Sequence, residues 1–315
     1  MRALITGGAG FIGSHLADAF LGRGDQVVIV DDLSRGRPDR LASQAILQKL
    51  SIGDAAAFRD TCSEFNPDLI CHLAAQIDVR NSVMDPAYDA TVNIIGTINV
   101  LEAARLVGAR VIFASSAGAM YGSEAPVPSP EDTPSSPESP YGVAKLCAEQ
   151  YVGLYNRLYG TRHSVLRFSN VYGPRQDPSG EAGVIAVFCA SVLAGNTPVI
   201  YGDGTQTRDY VYVDDVVRSF LKTADYGSPG TWNIGTGIET TVLSLVSIIA
   251  DIAGRRVAPR HVAPRLGELA RSAVVAERAA LDLGWRPTVT LREGMRAVYQ
   301  WMQAGARDRF DISVC

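Results

Sequence analysis

A glycine-rich turn near the start of the chain constrains the fold more than any other feature. Residues 6–13 read TGGAGFIG and place Gly7, Gly10 and Gly13 directly after the short apolar strand predicted at 3–6. Apolar residues then recur at helical spacing from Phe11 to Leu21. Glycine permits a tight turn and lets the backbone N–H groups at a helix N-terminus approach a pyrophosphate. The turn therefore predicts a dinucleotide-binding site.

A carboxylate follows the second predicted strand, where such a site needs one. The apolar run at 27–30 ends in Asp31 and Asp32, and Asp31 lies 21 positions after Gly10. A carboxylate there can bind both ribose hydroxyls of the adenosine. Two carboxylates would repel a 2′-phosphate, which favours NAD over NADP, although the nearby Arg35 and Arg37 leave the choice open. The residues predicted to hold NAD in this part of the chain are Gly7, Gly10, Phe11, Ile12, Gly13, Asp31, Asp32, Ser34 and Arg35.

Strands and helices alternate through the first half of the chain. Short apolar runs at 69–73, 111–114 and 166–168 are typical of buried parallel strands, and residues 90–107 have the pattern of a long helix. Strands separated by helices require crossover connections. The predicted fold class is therefore α/β, with a doubly wound parallel (Rossmann) sheet.

Composition and charge exclude several other classes of protein. The net charge is −4 without a basic block, and the chain contains no apolar run of about 18 residues, so neither nucleic acid nor a membrane is the expected partner. The five cysteines and four histidines show no spacing typical of disulfide frameworks or metal sites. Cys71, Cys189 and His72 are expected to be structural. An apolar strand that begins at once within residues 1–5 leaves no room for a signal peptide, so we expect a cytoplasmic protein.

Tyr141 and Lys145 are separated by one helical turn at the start of an apolar helix. Tyrosine has an ordinary pKa near 10, which makes it a weak base at neutral pH. A neighbouring ammonium and a positive nicotinamide favour the phenolate and would lower that pKa. Because the chain has only three lysines, the pair predicts catalysis rather than a chance surface contact.

The segment 124–140 holds six of the sixteen prolines and many Ser and Glu residues. Such a composition is typical of a disordered linker. Because the segment joins two candidate active-site segments, we expect an ordered loop near the site instead.

At this point the chain resembles the extended short-chain dehydrogenase/reductase family, and within it the nucleotide-sugar 4-epimerases. The resemblance covers nearly the whole chain. Besides the glycine turn and YGVAK, the motifs that carry it are HLAAQIDVRNSV (72–83), VNIIGTINVLEAAR (92–105), FASSAGAMYG (113–122), LRFSNVYGPRQDP (166–178), GDGTQTRDYVYVDDV (202–216) and WNIGTG (232–237).

The resemblance implies a division of the chain and a set of site residues. Residues 1–172 and 209–236 match the NAD-binding domain, and 173–208 and 237–315 match a smaller α/β nucleotide-sugar domain. The catalytic residues implied are Ser116, Tyr141 and Lys145, with Ser115 or Ala117 as the alternative to Ser116. The further cofactor residues implied are Asp54, Ala55, Leu73, Ala74, Ala75, Asn93, Ser115 and Phe168.

On the substrate side the resemblance assigns diphosphate contacts to Asn170, Arg208 and Arg265. Val184 begins a helix over the uracil, and Glu268 stands where the family has an Asp that binds the ribose. The remaining residues implied to face the substrate are Gln76, Arg80, Ser116, Ala117, Gly118, Tyr141, Arg175 and Tyr201.

The activity implied is C4 epimerisation of a UDP-hexose through a 4-keto sugar. Family dehydratases and decarboxylases carry acidic residues where Ala117 and Gly118 stand, which disfavours both of those activities. A UDP-glucuronate epimerase remains open if Arg80 or Arg175 pairs with the uronate, and a silent NAD-binding regulator is a further alternative. The family often dimerises through helices that match residues 90–106 and 141–159, so a homodimer is expected.

Overall fold

The computed structural model describes residues 1–179, 183–264 and 269–311. The strands are β1 (Arg2–Thr6), β2 (Gln26–Asp31), β3 (Ile46–Lys49), β4 (Leu69–His72), β5 (Arg110–Ser116), β6 (Ser164–Phe168), β7 (Asn170–Tyr172), β8 (Val199–Tyr201), β9 (Thr207–Tyr212), β10 (Thr231–Ile234), β11 (Glu239–Thr241) and β12 (Arg260–Val262). The helices are α1 (Phe11–Gly22), α2 (Ala55–Phe65), α3 (Val79–Met84), α4 (Pro86–Ala90), α5 (Gly96–Val107), α6 (Ala117–Met120), α7 (Pro140–Tyr159), α8 (Val184–Leu193), α9 (Val213–Tyr226), α10 (Val242–Ala253), α11 (Glu277–Leu283) and α12 (Leu291–Asp311). A 3₁₀ turn occupies Pro38–Arg40, and a π-helical turn occupies Thr91–Ile95.

The described residues form a seven-stranded sheet in the order β10-β6-β5-β4-β1-β2-β3. Every neighbouring pair in it is parallel. The chain runs outward from β1 to β3 and then returns to pair β4 with the other side of β1. Ligands bind to such sheets at this reversal, outside the carboxyl ends of the strands. The predicted doubly wound sheet is confirmed.

Both faces of the sheet are buried, as the continuous apolar runs predicted. Within β1, Ala3 and Ile5 pack towards α1, α9 and α11, and Leu4 packs towards α2, α5 and α7. Cys71 is fully buried on the first of these faces. The helices therefore lie in two layers that hold the carboxyl ends of the strands at one edge.

A second core lies in the later part of the chain. Helices α8, α10 and α12 pack around β9, and buried Cys189 lies among them. A small sheet orders β11-β9-β7, and β8 pairs with β12. Because β7 follows β6 almost directly, this sheet begins beside the carboxyl edge of the large one.

The proline-rich segment is an ordered part of the fold. Its Ser129 is buried, donates its N–H to the Ala273 carbonyl at 2.9 Å and accepts from the Val275 N–H at 2.9 Å. The Glu131 carboxylate accepts from the backbone N–H of Asn233 at 2.9 Å. The alternative of a disordered linker is wrong, because these hydrogen bonds fix the segment to residues 273–275 and to β10.

The long helix predicted at 90–107 extends back to Pro86. Asp85 caps this start by accepting from the Tyr88 N–H at 2.9 Å, and Pro86 occupies the first helical position. By length and composition alone, Pro86–Val107 could cross a membrane, although 39% of its most apolar stretch is buried in the fold. The helix packs against α2 and α7, which accounts for its apolar composition.

Candidate active site

The glycine turn forms a cradle at the carboxyl end of β1. Gly7 has a φ of +70°, and a Cβ there would lie 2.7 Å from the Ala74 nitrogen. A Cβ at Gly13 would collide with the Gly7 carbonyl. Gly10 caps α1 without a side-chain hydrogen bond, so no side chain covers the positive end of this helix. The cradle fits a pyrophosphate bound by backbone N–H groups.

Asp31 lies at the end of β2 beside this cradle. Its buried carboxylate accepts from the N–H groups of Ala9 at 3.0 Å and Leu33 at 2.9 Å, and burial raises its pKa. A Cβ at Gly36 would collide with the carboxylate, which is a requirement that the sequence analysis missed. Asp32 is exposed and accepts from both the N–H and the hydroxyl of Ser34. Asp31 is therefore the carboxylate turned towards the cradle.

Arg35 and Arg37, which left the choice between NAD and NADP open, both have acidic partners. Arg35 lies 3.5 Å from the Asp78 carboxylate, and Arg37 lies 2.8 Å from that of Asp39. Both pairs are exposed, so the carboxylate of Asp31 beside the cradle remains the main feature that favours NAD.

Thr6 organises the next wall of the site, at the end of β4. Its hydroxyl accepts from the N–H groups of Leu73 and Ala74, each at 3.2 Å. His72 lies between the Thr6 and Thr97 hydroxyls at 2.8 and 3.0 Å, and burial lowers its pKa to about 3. The expectation of a structural His72 is confirmed.

Asn93 lies in the π-helical turn and fixes the backbone that follows this wall. Its amide accepts from the Gln76 N–H and donates to the Gln76 carbonyl, both at 2.9 Å. Gln76 itself donates to the Asp78 carbonyl at 2.9 Å and to the Asp89 carboxylate at 2.8 Å. Both amide hydrogens of Gln76 are thus committed. These hydrogen bonds hold Gln76 to the scaffold, and its contact with substrate stays a prediction.

Helix α7 carries Tyr141 and Lys145 to the carboxyl ends of β5 and β6. The helix begins where the Ser139 hydroxyl accepts from the Gly142 N–H at 3.1 Å. A Cβ at Gly142 would collide with the Ala119 carbonyl, so α7 approaches α6 more closely than another residue would allow. Tyr141 and Lys145 therefore lie in the first two turns of α7.

The structure distinguishes the two adjacent serines. The Ser116 and Tyr141 hydroxyls share a hydrogen bond. The Ser115 hydroxyl donates to the Glu149 carboxylate at 2.5 Å, in a buried position. Ala117 is a buried methyl in α6. Of the three alternatives at this position, only Ser116 brings a hydroxyl to Tyr141.

Lys145 is buried between aromatic rings and acidic groups. Its ammonium donates to the Ala114 carbonyl at 3.0 Å and lies 4.8 Å from the centre of the Phe113 ring. Burial lowers the pKa of Lys145 to about 8, against the opposing effect of the Asp89 and Glu149 charges. The group therefore remains protonated at neutral pH, but by a smaller margin than an ordinary lysine.

The pKa of Tyr141 is high in the protein alone. Burial raises it to about 12, which the hydrogen bond from Ser116 opposes and the Asp89 charge reinforces. The expected lowering needs a positive nicotinamide as well as the ammonium, and in the protein alone desolvation of the phenolate is the largest effect on this pKa. The protein by itself therefore keeps Tyr141 protonated at neutral pH.

A buried ionic network, which the sequence analysis missed, lies next to Lys145 and connects the elements that carry the site. Glu149 lies one turn after Lys145 and forms a 2.6 Å ion pair with Arg167 of β6. Arg167 also donates to the Tyr121 hydroxyl at 3.0 Å, which donates to Asn233 at 2.7 Å. The network joins β5, β6, β10 and α7 beneath the carboxyl edge.

The predicted substrate residues lie on α6, β7, α8, β8 and β9. A Cβ at Gly118 would lie 3.8 Å from the Asn170 amide oxygen and 4.0 Å from the hydroxyl of Ser272, a residue that sequence reasoning missed. Val184 begins α8, and Tyr201 is exposed at the end of β8. Arg208 on β9 donates to the Thr207 carbonyl at 2.7 Å. The predicted Arg265 and Glu268 lie outside the described residues.

Several predicted site residues have other partners in the structure. Arg175 forms a 2.8 Å ion pair with Asp18 of α1, and its contact with the sugar stays a prediction. The Phe168 ring packs in the core, 5.7 Å from the Phe220 ring, so its side chain does not face the cofactor. Asp54 caps α2 through the Ala57 N–H at 3.1 Å.

Two other predicted residues are exposed on helices. Ala55 is the first residue of α2, and Arg80 lies on α3.

Among the described residues, the His, Cys, Asp and Glu side chains form no group of three that could hold a metal ion.

Comparison with known proteins identifies the family. Residues 3–235 match the model of the NAD dependent epimerase/dehydratase family. The chain is 46% identical over 309 residues to a UDP-glucose 4-epimerase of Mycolicibacterium smegmatis, covering 96% of this chain and 99% of that one.

Two solved structures are also similar. A UDP-glucose 4-epimerase of Thermotoga maritima, solved with UDP-glucose, gives a TM-score of 0.95 at 43% identity, covering 97% of this chain and 100% of that one. A UDP-glucose 4-epimerase of Thermus thermophilus, solved with NAD, gives 0.90 at 39% identity, covering 96% and 99%. Together with the glycine cradle, Asp31 and the Ser116–Tyr141–Lys145 group, these matches show that the chain belongs to the NAD-dependent epimerase/dehydratase family.

Proposed function

We propose that this protein is an NAD-dependent 4-epimerase that interconverts UDP-glucose and UDP-galactose. The observation that carries the proposal is the placement of Ser116, Tyr141 and Lys145 at the carboxyl edge, beside the cradle for a dinucleotide. The similarity to UDP-glucose 4-epimerases over nearly the full length supports the same conclusion.

Tyr141 acts as the general base in the first half of the reaction. Its oxygen takes the proton of the sugar 4-hydroxyl, and the Ser116 hydroxyl, already bonded to Tyr141, holds that sugar oxygen in line. NAD, when bound, supplies the redox chemistry by accepting the hydrogen of C4 with its electron pair and later returning it. In the second half, Tyr141 gives its proton back to the oxygen of the 4-keto sugar.

Lys145 contributes positive charge at the phenol, 5.8 Å from the centre of the Tyr141 ring. Because burial alone raises the pKa of Tyr141 to about 12, ionisation at neutral pH requires a further positive charge nearby. The oxidised nicotinamide carries that charge. Tyr141 is therefore a competent base only in the loaded enzyme.

Inversion requires the keto sugar to present its other face. A Cβ at Gly118 would be in ordinary van der Waals contact with Asn170 and Ser272, so the small residues Ala117 and Gly118 limit the bulk of this part of the site. Positions 117 and 118 carry no acidic side chain. Because neither Ala117 nor Gly118 can transfer a proton, epimerisation is favoured over dehydration. A neutral hexose is the proposed substrate rather than a uronate, because the chain is similar to UDP-glucose 4-epimerases over nearly its full length; the ion pair of Arg175 with Asp18 agrees with this choice.

Incubation with UDP-glucose in deuterated water is expected to give UDP-galactose without deuterium on carbon. The hydride returns to the carbon that it left, so no carbon-bound hydrogen exchanges with solvent. Proton NMR of the sugar ring measures both the inversion and the exchange. Deuterium at C5 would contradict the mechanism by indicating enolisation, and inversion of UDP-glucuronate alone would contradict the choice of substrate.

We further propose that residues 1–172 and 209–236 form the NAD-binding domain and that 173–208 and 237–315 form the substrate domain. The separate core around α8, α10 and α12 supports this division. In this assignment Asn170 and Arg208 bind the diphosphate and Val184 lies against the uracil.

The protein is also proposed to form a homodimer through the helical layer of α3, α4, α5 and α7. These helices pack against one another. Large apolar side chains that they leave exposed are Val79, Val83, Met84, Tyr88, Leu106, Val143, Leu158 and Tyr159. Exposed apolar side chains concentrated on one layer are typical of a protein interface.

The Met84→Glu variant is expected to shift the protein from dimer to monomer, since it places a charge among these apolar side chains. Mass measurement by light scattering at fixed protein concentration tests this shift. Leu281→Glu is the matched control, because Leu281 is 77% exposed but lies on α11, outside the layer. A monomeric wild-type protein would contradict the proposal.

A cytoplasmic location and the absence of nucleic-acid partners stay predictions. The free state of the four described cysteines, Cys62, Cys71, Cys147 and Cys189, supports a reducing compartment.

A further inference from the structure

Asp89 is a buried carboxylate beside the active site to which neither the motifs nor the mechanism assigns a role. It lies on α4 and is 1% exposed. One of its oxygens accepts from the Gln76 amide at 2.8 Å and the Asn93 amide at 2.9 Å. The other oxygen is buried and accepts no hydrogen bond from any described residue. A buried carboxylate oxygen without a donor is costly unless an opposite charge faces it.

The opposite charge that faces Asp89 comes from α7, which packs against α4. Asp89 interacts electrostatically with Lys145 and with Tyr141. Lys145 is also faced by Glu149 of its own helix, but Glu149 is neutralised by its ion pair with Arg167 of β6. His72 of β4 also faces Lys145, and burial keeps this histidine neutral. Asp89 is thus the less compensated of the two acidic charges that act on Lys145.

We propose that Asp89 is a positioning residue of the active site, which fixes Gln76 and Asn93 by hydrogen bonds and holds Lys145 in its ammonium form by charge. The inference deepens the proposed function and rests on it for the roles of Tyr141 and Lys145. The π-helical turn that directly follows Asp89 supports it, because such turns occur frequently at functional sites.

The same negative charge has opposite consequences for the two catalytic groups. It favours the protonated form of Lys145 and disfavours the phenolate of Tyr141. Asp89 therefore helps keep Tyr141 protonated in the protein without cofactor. Removing the charge but keeping the hydrogen bonds separates this electrostatic role from a structural one.

The Asp89→Asn variant keeps an acceptor for Gln76 and Asn93 and removes the charge. Its Tyr141 is expected to ionise about one pH unit lower than in the wild type. In the pH profile of kcat, the alkaline limb reports deprotonation of Lys145. Its midpoint is also expected to move about one pH unit lower. Tyrosinate absorbance reports the first change when the Tyr141→Phe spectrum is subtracted in each background.

The control is Asp215→Asn, which removes a buried carboxylate on α9, on the opposite face of the sheet from α7. Its Tyr141 ionisation and alkaline limb are expected to match the wild type even where its thermal midpoint falls. If Asp89→Asn does not fold, Asp89→Ser also lacks the charge, and the Tyr141 titration and the pH profile of kcat can be measured on that variant.

Unchanged Tyr141 ionisation and an unchanged alkaline limb in the neutral variant would overturn the proposal and leave Asp89 a purely structural residue. The tyrosinate titration needs no turnover. Failure of the proposed function, seen as a wild type that does not epimerise UDP-glucose, is therefore distinguishable from failure of this inference.

Discussion

The Tyr141→Phe variant is expected to lose turnover of UDP-glucose by about 10²–10⁴-fold or more, because it removes the general base used in both half-reactions. Phenylalanine keeps the ring that lies 5.8 Å from the Lys145 ammonium, so packing in the first turns of α7 is retained. Binding of UDP-glucose is expected to change little. Steady-state kinetics and calorimetric titration with UDP-glucose measure the two effects separately.

The control is Tyr159→Phe, which removes a hydroxyl from an exposed side chain at the end of the same helix. Its kcat is expected to equal that of the wild type. If Tyr141→Phe kept more than a tenth of wild-type turnover, Tyr141 would not be the base.

The Lys145→Met variant is expected to be inactive and, at pH 7, more stable than the wild type. Burial lowers the pKa of Lys145 from 10.5 to about 8, and a shift of this size corresponds to roughly 3 kcal/mol of destabilisation when the lysine is charged. Losing the hydrogen bond to the Ala114 carbonyl costs about 1 kcal/mol. The expected gain in the free energy of unfolding is therefore about 2 kcal/mol.

The pH dependence of that gain follows from linkage. Between pH 8 and 10.5 the unfolded chain binds more protons at Lys145 than the folded chain does, so wild-type stability rises with pH relative to the variant. The advantage of methionine is complete below about pH 8 and disappears as the pH approaches 10.5. Chemical denaturation at pH 7 and pH 10 measures both limits.

Lys222→Met is the matched control, since Lys222 is exposed on α9. Its stability is expected to change little at either pH. An equal gain in both variants, or a gain from Lys145→Met that does not fall at high pH, would contradict the explanation.

The sequence by itself determined the features that depend on neighbours close along the chain. The glycine turn and Asp31 predicted the cofactor, because the conformation of a turn and its distance to the next strand are local properties. The apolar runs predicted the parallel sheet, because strands covered on both faces need no polar alternation. The spacing of Tyr141 and Lys145 placed both on one helix face.

The tertiary structure decided what depends on contacts between distant parts of the chain. Ser116 rather than Ser115 meets Tyr141 because the strand end turns the Ser115 hydroxyl towards Glu149, 34 positions later. Arg175 pairs with Asp18 of α1, a residue 157 positions earlier, which no local pattern indicates.

The pKa of Tyr141 likewise could not be predicted from the sequence, because it depends on burial. A neighbouring lysine can be read from spacing, but the loss of solvent around the phenol exists only once α7 packs against the sheet. This desolvation is the largest effect on the pKa of Tyr141 and raises it in the protein alone. Local patterns identify the catalytic groups, and packing of the whole chain sets their charges and their partners.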